Sequence, residues 1–268
     1  MDLIRESWRE LWQNNRNGGF LTLAFWYTML TSLYQYLVAS RLGPSLPKSL
    51  TNFVTHPGVV TTFPHLSSNL WLKLILVYLT FLLIIVPYAV GGLYGGIASA
   101  LKTRPQGGTF FLAFFRFGYQ NFWKALGQIV LGLCLVAVVL LVLTALYLGV
   151  AAVGGGAMGV VFIVILAAVM LWMVGTLLYW FGFTFDTGES PARGLVPALR
   201  WSFTHLGQLY ARMVLLLGLL IATLLVATFI SSTVPFLGAL VMVLLVGMVV
   251  PAFMAVYALL LYRQSSWN

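Results

Sequence analysis

Long uninterrupted apolar runs, rather than alternating positions, organise this chain. Six of them, at about residues 20–39, 70–101, 126–150, 160–185, 213–230 and 237–262, are long enough to cross a bilayer as helices. That takes about 20 residues for roughly 30 Å of hydrocarbon. Continuous runs without a period of two argue against half-buried strands, and an open sheet edge finds no backbone partner in lipid. The pattern predicts an all-α, polytopic membrane protein of six transmembrane helices, the second long enough to tilt or protrude.

A different period runs through the segments before the first, third and fifth runs. Leu195, Leu199, Phe203, Leu206 and Tyr210 recur at helical spacing, with Arg193, Arg200, Thr204 and Arg212 on the other side. Arg116, Gln120 and Lys124 recur every four residues among Phe114, Phe115, Phe122 and Trp123. Aligned without gaps, Arg9-Glu10-Leu11-Trp12-Gln13-Asn14, Arg116-Phe117-Gly118-Tyr119-Gln120-Asn121 and Arg200-Trp201-Ser202-Phe203-Thr204-His205 share one order. It is Arg, two variable residues, an aromatic, a polar acceptor, then Asn or His. A cationic stripe on an aromatic cylinder suits an amphipathic helix in the headgroup zone, guanidinium near phosphate and rings at the acyl boundary. Arg9, Arg116, Lys124, Arg200 and Arg212 are therefore candidate contacts to lipid headgroups or inner-loop backbone. The chain then reads as a single membrane domain, 1–268, of three units at about 1–104, 105–188 and 189–268. Each is an interfacial helix followed by a helical hairpin, and the first carries a long outer loop at 41–69.

Composition narrows the class. Apolar residues make up 61% of the 268 and charged ones only 7%, against about 25% charged in soluble domains. A soluble enzyme, a disordered chain and a disulfide scaffold are excluded. The net charge of +9 sits beside apolar stretches and not in a basic patch, which argues against nucleic acid and for orientation in a bilayer. With the amino terminus inside, eleven of the fourteen Lys and Arg and all five acidic residues fall on the inner side. Both termini are expected in the cytoplasm, at a cell membrane, with no removable signal peptide. The lone Cys134 lies in an apolar run and is read as a packed thiol.

Candidate chemistry is sparse. Gly91, Gly92, Gly95 and Gly96 form overlapping small-xxx-small pairs that let another helix approach closely. Pro87 and Pro251 each remove a helix hydrogen bond and are expected to kink their spans. No apolar core carries an ionisable group at its centre, which argues against side-chain-coupled ion pumping. Asp186, Glu189 and Arg193 read as an ion pair or loop clamp at the inner end of the fourth span. His56 and His65 lie in the outer loop without carboxylates, His205 stands alone, and no catalytic motif is present. No catalytic residue, cofactor or metal is expected.

The stretch from Phe183-Thr184-Phe185-Asp186 to Glu189, with Ala198-Leu199-Arg200-Trp201-Ser202-Phe203, resembles a loop and helix of bacterial six-span membrane proteins. These are related to the membrane domain of glycerophosphoryl diester phosphodiesterases. The sixth span, with Pro251 and Leu261-Tyr262-Arg263, looks like the same group, so the resemblance covers about residues 70–263. It implies the fold and no active site, since hydrolysis in that family belongs to a separate soluble barrel, which is not expected in this sequence. The leading expectation is a non-enzymatic, transport- or envelope-associated subunit that binds a lipid, a hydrophobic molecule or a membrane partner. Two alternatives stand beside it. One is a scaffold recruiting a cytosolic partner to the basic inner face. The other is a membrane enzyme acting on lipids, with Asp186, Glu189 and His205 brought together.

Overall fold

The computed structural model describes residues 2–15, 19–42, 68–103, 110–153, 156–234, 238 and 241–266. The outer loop with His56 and His65 and the hairpin turns at Gly154, Gly155 and Pro235 lie outside these residues. Among the described residues every element is helical: α1 (Asp2–Asn15), α2 (Gly19–Leu42), α3 (68–103), α4 (Phe110–Val153), α5 (Gly156–Thr187), α6 (Pro191–Thr204), α7 (Leu206–Thr233) and α8 (242–266).

Five of these helices, α3, α4, α5, α7 and α8, are long and apolar enough to cross a membrane. The multi-pass helical class expected from the apolar runs is thus seen. The first expected span, α2, is not among the five. It is a 24-residue helix, but Thr22, Thr28, Thr31, Ser32, Gln35 and Ser40 dilute its hydropathy. It nonetheless lies antiparallel along α3. A methyl at Gly96 would meet the Leu23 side chain, while the Tyr34 hydroxyl donates to the Val77 carbonyl at 2.8 Å and its ring stacks on Phe81 at 5.4 Å.

Helix ends follow local chemistry. α5 stops at Gly188, whose φ of 79° is the left-handed conformation that ends helices and favours glycine. Ser190 is extended, and Pro191 then opens α6 at its first position, where a missing N–H costs nothing. α6 gives way to α7 at His205, which has φ −119° and ψ 34°. No proline lies between Phe110 and Val153, and α4 is a single 44-residue rod, about 66 Å long at 1.5 Å per residue. This corrects the expected architecture of the second unit: its amphipathic segment is the first third of a continuous helix and not a separate interfacial one.

Both prolines expected to kink their spans follow a widened stretch of helix. A π-helical stretch, Phe81–Ile85, ends two residues before Pro87, and a second, Met242–Val249, ends two residues before Pro251. A proline ring clashes with the carbonyl four residues back, and widening the turn relieves that clash. In α8 the displaced acceptor has a partner, since the Thr28 hydroxyl of α2 donates to the Gly247 carbonyl.

Burial divides the molecule into two zones. Every buried hydrophobic except Leu143 and Ala227 comes from 3–24, 89–125, 173–216 or 252–261, and nearly all of these form one cluster. At its centre the last turns of α8, Ala255 to Leu261, are buried among α1, α2, α3 and α5. These stretches, with Asp2 and Arg263 just beyond their ends, carry every described charge except Arg41 and Lys73. Beyond them the helices expose Leu, Val, Ile and Phe, among them Leu141, Ile163, Val226 and Phe229. Cys134, expected to be packed, is exposed there, on a face of α4 left uncovered by the described residues. One half is a packed, charge-bearing cap and the other an apolar sleeve that water would solvate poorly.

Candidate functional site

The three aromatic segments share a burial pattern as well as a sequence order. Counted from Arg9, Arg116 and Arg200, the residues two before and two after are buried: Ser7 and Leu11, Phe114 and Gly118, Ala198 and Ser202. The arginines themselves are exposed in all three, and so are Trp12, Tyr119 and Phe203 three residues on. A spacing of three puts the ring beside the guanidinium on one helix face. The buried face serves packing. In α6, Trp201 stacks on Tyr179 at 4.3 Å and 9°, and a methyl at Gly194 would strike the Phe183 ring. Each segment is therefore a cap on neighbouring helices and, on its outer face, an Arg–aromatic pair.

The expected clamp of Asp186, Glu189 and Arg193 is two separate pairs. Arg193 Nη1 meets Glu189 Oε2 at 3.1 Å within one turn. Asp186 turns instead to other helices. It accepts a fork from Arg263 of α8, Nη2 to Oδ1 at 2.8 Å and Nε to Oδ2 at 3.2 Å. Lys102 of α3 lies 3.7 Å from Oδ1 and donates to the Asp186 carbonyl. The last turns of α3, α5 and α8 thus converge on one carboxylate. Sequence proximity pointed to Arg193, but the helix carries Asp186 to the side facing α8.

The glycine row on α3 lies buried at the α3–α4 crossing. Methyls at Gly91 and Gly92 would meet Gly118 and Phe114 of α4, one at Gly95 would meet Asn121, and one at Gly96 would reach α2. Tyr88, beside Pro87, completes the contact by donating to the Phe115 carbonyl at 3.0 Å. Gly182, outside that row, is tighter still, its methyl position coinciding with the Ala258 carbonyl of α8.

Two cavities open side by side at the charge-bearing end, and Arg212 and Gln264 line both. The smaller, about 140 Å³, is completed by Asp2, Leu3 and Ile4 of α1, Leu215 of α7 and Tyr257 of α8. The larger, about 220 Å³, is completed by Trp201, His205, Gln208 and Ser265. Tyr257 is fully buried and its hydroxyl has no hydrogen-bond partner among the described residues. Gln264 Nε2 donates to Glu6 Oε2 at 2.7 Å, which joins α1 to the end of α8. His205 Nδ1 lies 2.8 Å from the Thr204 hydroxyl and 3.1 Å from the Trp201 carbonyl. Of the residues read from the sequence only Arg212 and His205 line this place. Tyr257 and Gln264 were missed, because a single phenol in an apolar run and an amide after it carry no spacing signal.

Asp186, Glu189 and His205 keep separate partners and share no hydrogen bond. Among the described residues no group of three His, Cys, Asp or Glu could hold a metal ion. No protein-family model, curated protein or solved structure matches the chain.

Proposed function

We propose that this chain is a six-span, non-enzymatic protein of the cell membrane that engages lipid around its charged end. It would act as a transport- or envelope-associated subunit whose ligand is a lipid, another hydrophobic molecule or a membrane partner. One observation carries the reading: an exposed Arg with an exposed ring three residues on, repeated on α1, α4 and α6. A cation for phosphate beside a ring for the acyl boundary is the side-chain pair a headgroup layer favours.

The finer architecture has its own support. Glu6 of α1 and Gln264 of α8 are hydrogen-bonded, so the two ends of the described chain share one face, which requires an even number of crossings. Five apolar helices and α2, antiparallel to α3, make six. Lys102, Asp186 and Arg263 close the second long helix of each unit. Their meeting on one cluster suits three parallel units about an axis along the membrane normal. The excess of Lys and Arg at this end sets it in the cytoplasm.

The test is the combined substitution Arg9→Gln, Arg116→Gln and Arg200→Gln. Each cation near an anionic surface is worth about 1 kcal/mol, and all three side chains are exposed. The variant is expected to stay folded in mild detergent while co-purifying with several-fold less anionic phospholipid. Unchanged lipid content would refute the reading.

A further inference from the structure

We propose that the paired cavity between α1, the α6–α7 corner and the end of α8 binds the phosphate–ammonium headgroup of one phospholipid, with Arg212 and the Tyr257 hydroxyl on the phosphate and Asp2 on the ammonium. This rests on the reading that the charged end lies among lipid headgroups.

Arg212 differs from the ion-paired arginines of the cap. Arg193 and Arg263 hold carboxylates, whereas Arg212 is half-buried and has no ion pair or hydrogen bond among the described residues. A guanidinium partly withdrawn from water without a counter-ion is costly, and an anion between it and solvent restores the balance. The Tyr257 hydroxyl is the second unmet donor. It is buried and has no partner among the described residues, and Tyr257 lines the smaller cavity together with Arg212. A buried hydroxyl left unpaired is a standing penalty that an acceptor removes. One group with several acceptor oxygens satisfies both donors.

The rest of the lining says what else that group carries. Asp2 shares the smaller cavity and would repel a bare anion, while an ammonium next to the phosphate turns the repulsion into attraction. Glu6 adds a second carboxylate by holding the Gln264 amide nitrogen, which leaves the Gln264 carbonyl as an acceptor for N–H. Leu3, Ile4 and Leu215 supply an apolar wall, which a free phosphate would not need. At roughly 30 Å³ per water-sized group, the two adjoining cavities, about 140 and 220 Å³, together have room for the headgroup, with Asp2 on the side of the smaller one.

The experiment uses the full chain, delipidated in mild detergent, with native mass spectrometry and thermal unfolding as readouts. The probes are phosphatidylethanolamine, phosphatidylglycerol, diacylglycerol and inorganic phosphate. One phosphatidylethanolamine per chain is expected to be retained, phosphatidylglycerol more weakly, and the other two not at all. Arg212→Gln should weaken retention about tenfold or more, the loss of a charge-assisted hydrogen bond. Tyr257→Phe should weaken it several-fold without lowering the melting temperature of the lipid-free protein, a combination that a purely structural hydroxyl would not give. Asp2→Asn should erase the preference for the amine headgroup. Full retention by both Arg212→Gln and Tyr257→Phe would overturn the site. Equal stabilisation by inorganic phosphate would overturn the assignment to an amphiphile. Arg9, Arg116 and Arg200 line neither cavity, so their combined variant keeps this one lipid even as it loses the others. Loss of it there, with retention in Arg212→Gln, would sink this site and leave the surface reading standing.

Discussion

A methyl group built on Gly182 runs into the Ala258 carbonyl, which is backbone of the most buried helix and has no room to retreat. Gly182→Ala should therefore cost about 1–3 kcal/mol or more through overpacking. Gly149→Ala and Gly218→Ala, which meet nothing within 4 Å, should be neutral or stabilising by up to about 1 kcal/mol from helix propensity. Thermal unfolding in one detergent orders the three, and a Gly182→Ala protein as stable as the parent would show that α5 and α8 do not touch there. The carboxylates separate in the same way. The Asp186 side chain is 13% exposed and bound from two other helices, so Asp186→Ala removes the carboxylate that ties α3, α5 and α8 together, at a cost of about 3 kcal/mol. Arg193 is 77% exposed in its pair with Glu189, and Glu189→Gln should change stability by no more than about 0.5 kcal/mol. The sequence identified Asp186 as consequential but attached it to the wrong arginine. Charge and position along a span are legible in one dimension, whereas the face that Asp186 presents, about eight turns into α5, depends on which neighbour packs there.

At the level of the helix, what could be read was what depends on local chemistry. Apolar runs marked α3, α4, α5, α7 and α8, and Gly188-Glu189-Ser190-Pro191 is both a stop and a start. The continuity of α4 was harder to read, since an amphipathic stretch passing into an apolar one looks like two helices unless the absence of a breaker is given weight. The prolines were seen, but their consequence depends on another helix. Pro251 cannot supply an N–H to the Gly247 carbonyl, and Thr28 of α2 donates there instead. Thr28→Val should cost about 1 kcal/mol in the parent. It should cost clearly less in a Pro251→Ala background, where the backbone can make that bond itself. A double-mutant cycle by thermal unfolding reads the coupling directly, and purely additive costs would mean that the hydroxyl and the proline are independent.

For the molecule as a whole, the division into a charged cap and an apolar sleeve makes a claim about sidedness that the helix count alone does not. Glu6 bonded to Gln264 and Asp186 bonded to both Lys102 and Arg263 bring α1 and the ends of α3, α5 and α8 to one face. Ser40 near the end of α2 and Thr233 at the end of α7 must then lie on the other, provided α2 crosses despite its threonines and serines. With Cys134→Ala as the starting protein, single substitutions Gln13→Cys, Ser265→Cys, Ser40→Cys and Thr233→Cys can be labelled in intact cells with an impermeant maleimide. Ser40→Cys and Thr233→Cys should react from outside, and the other two only after the membrane is opened, as the proposed cytoplasmic placement of the Lys- and Arg-rich cap requires. Labelling of Ser40→Cys only after opening, with Thr233→Cys outside, would mean that α2 lies along the surface. The return of α3 to the cap would then need some other segment to have crossed first.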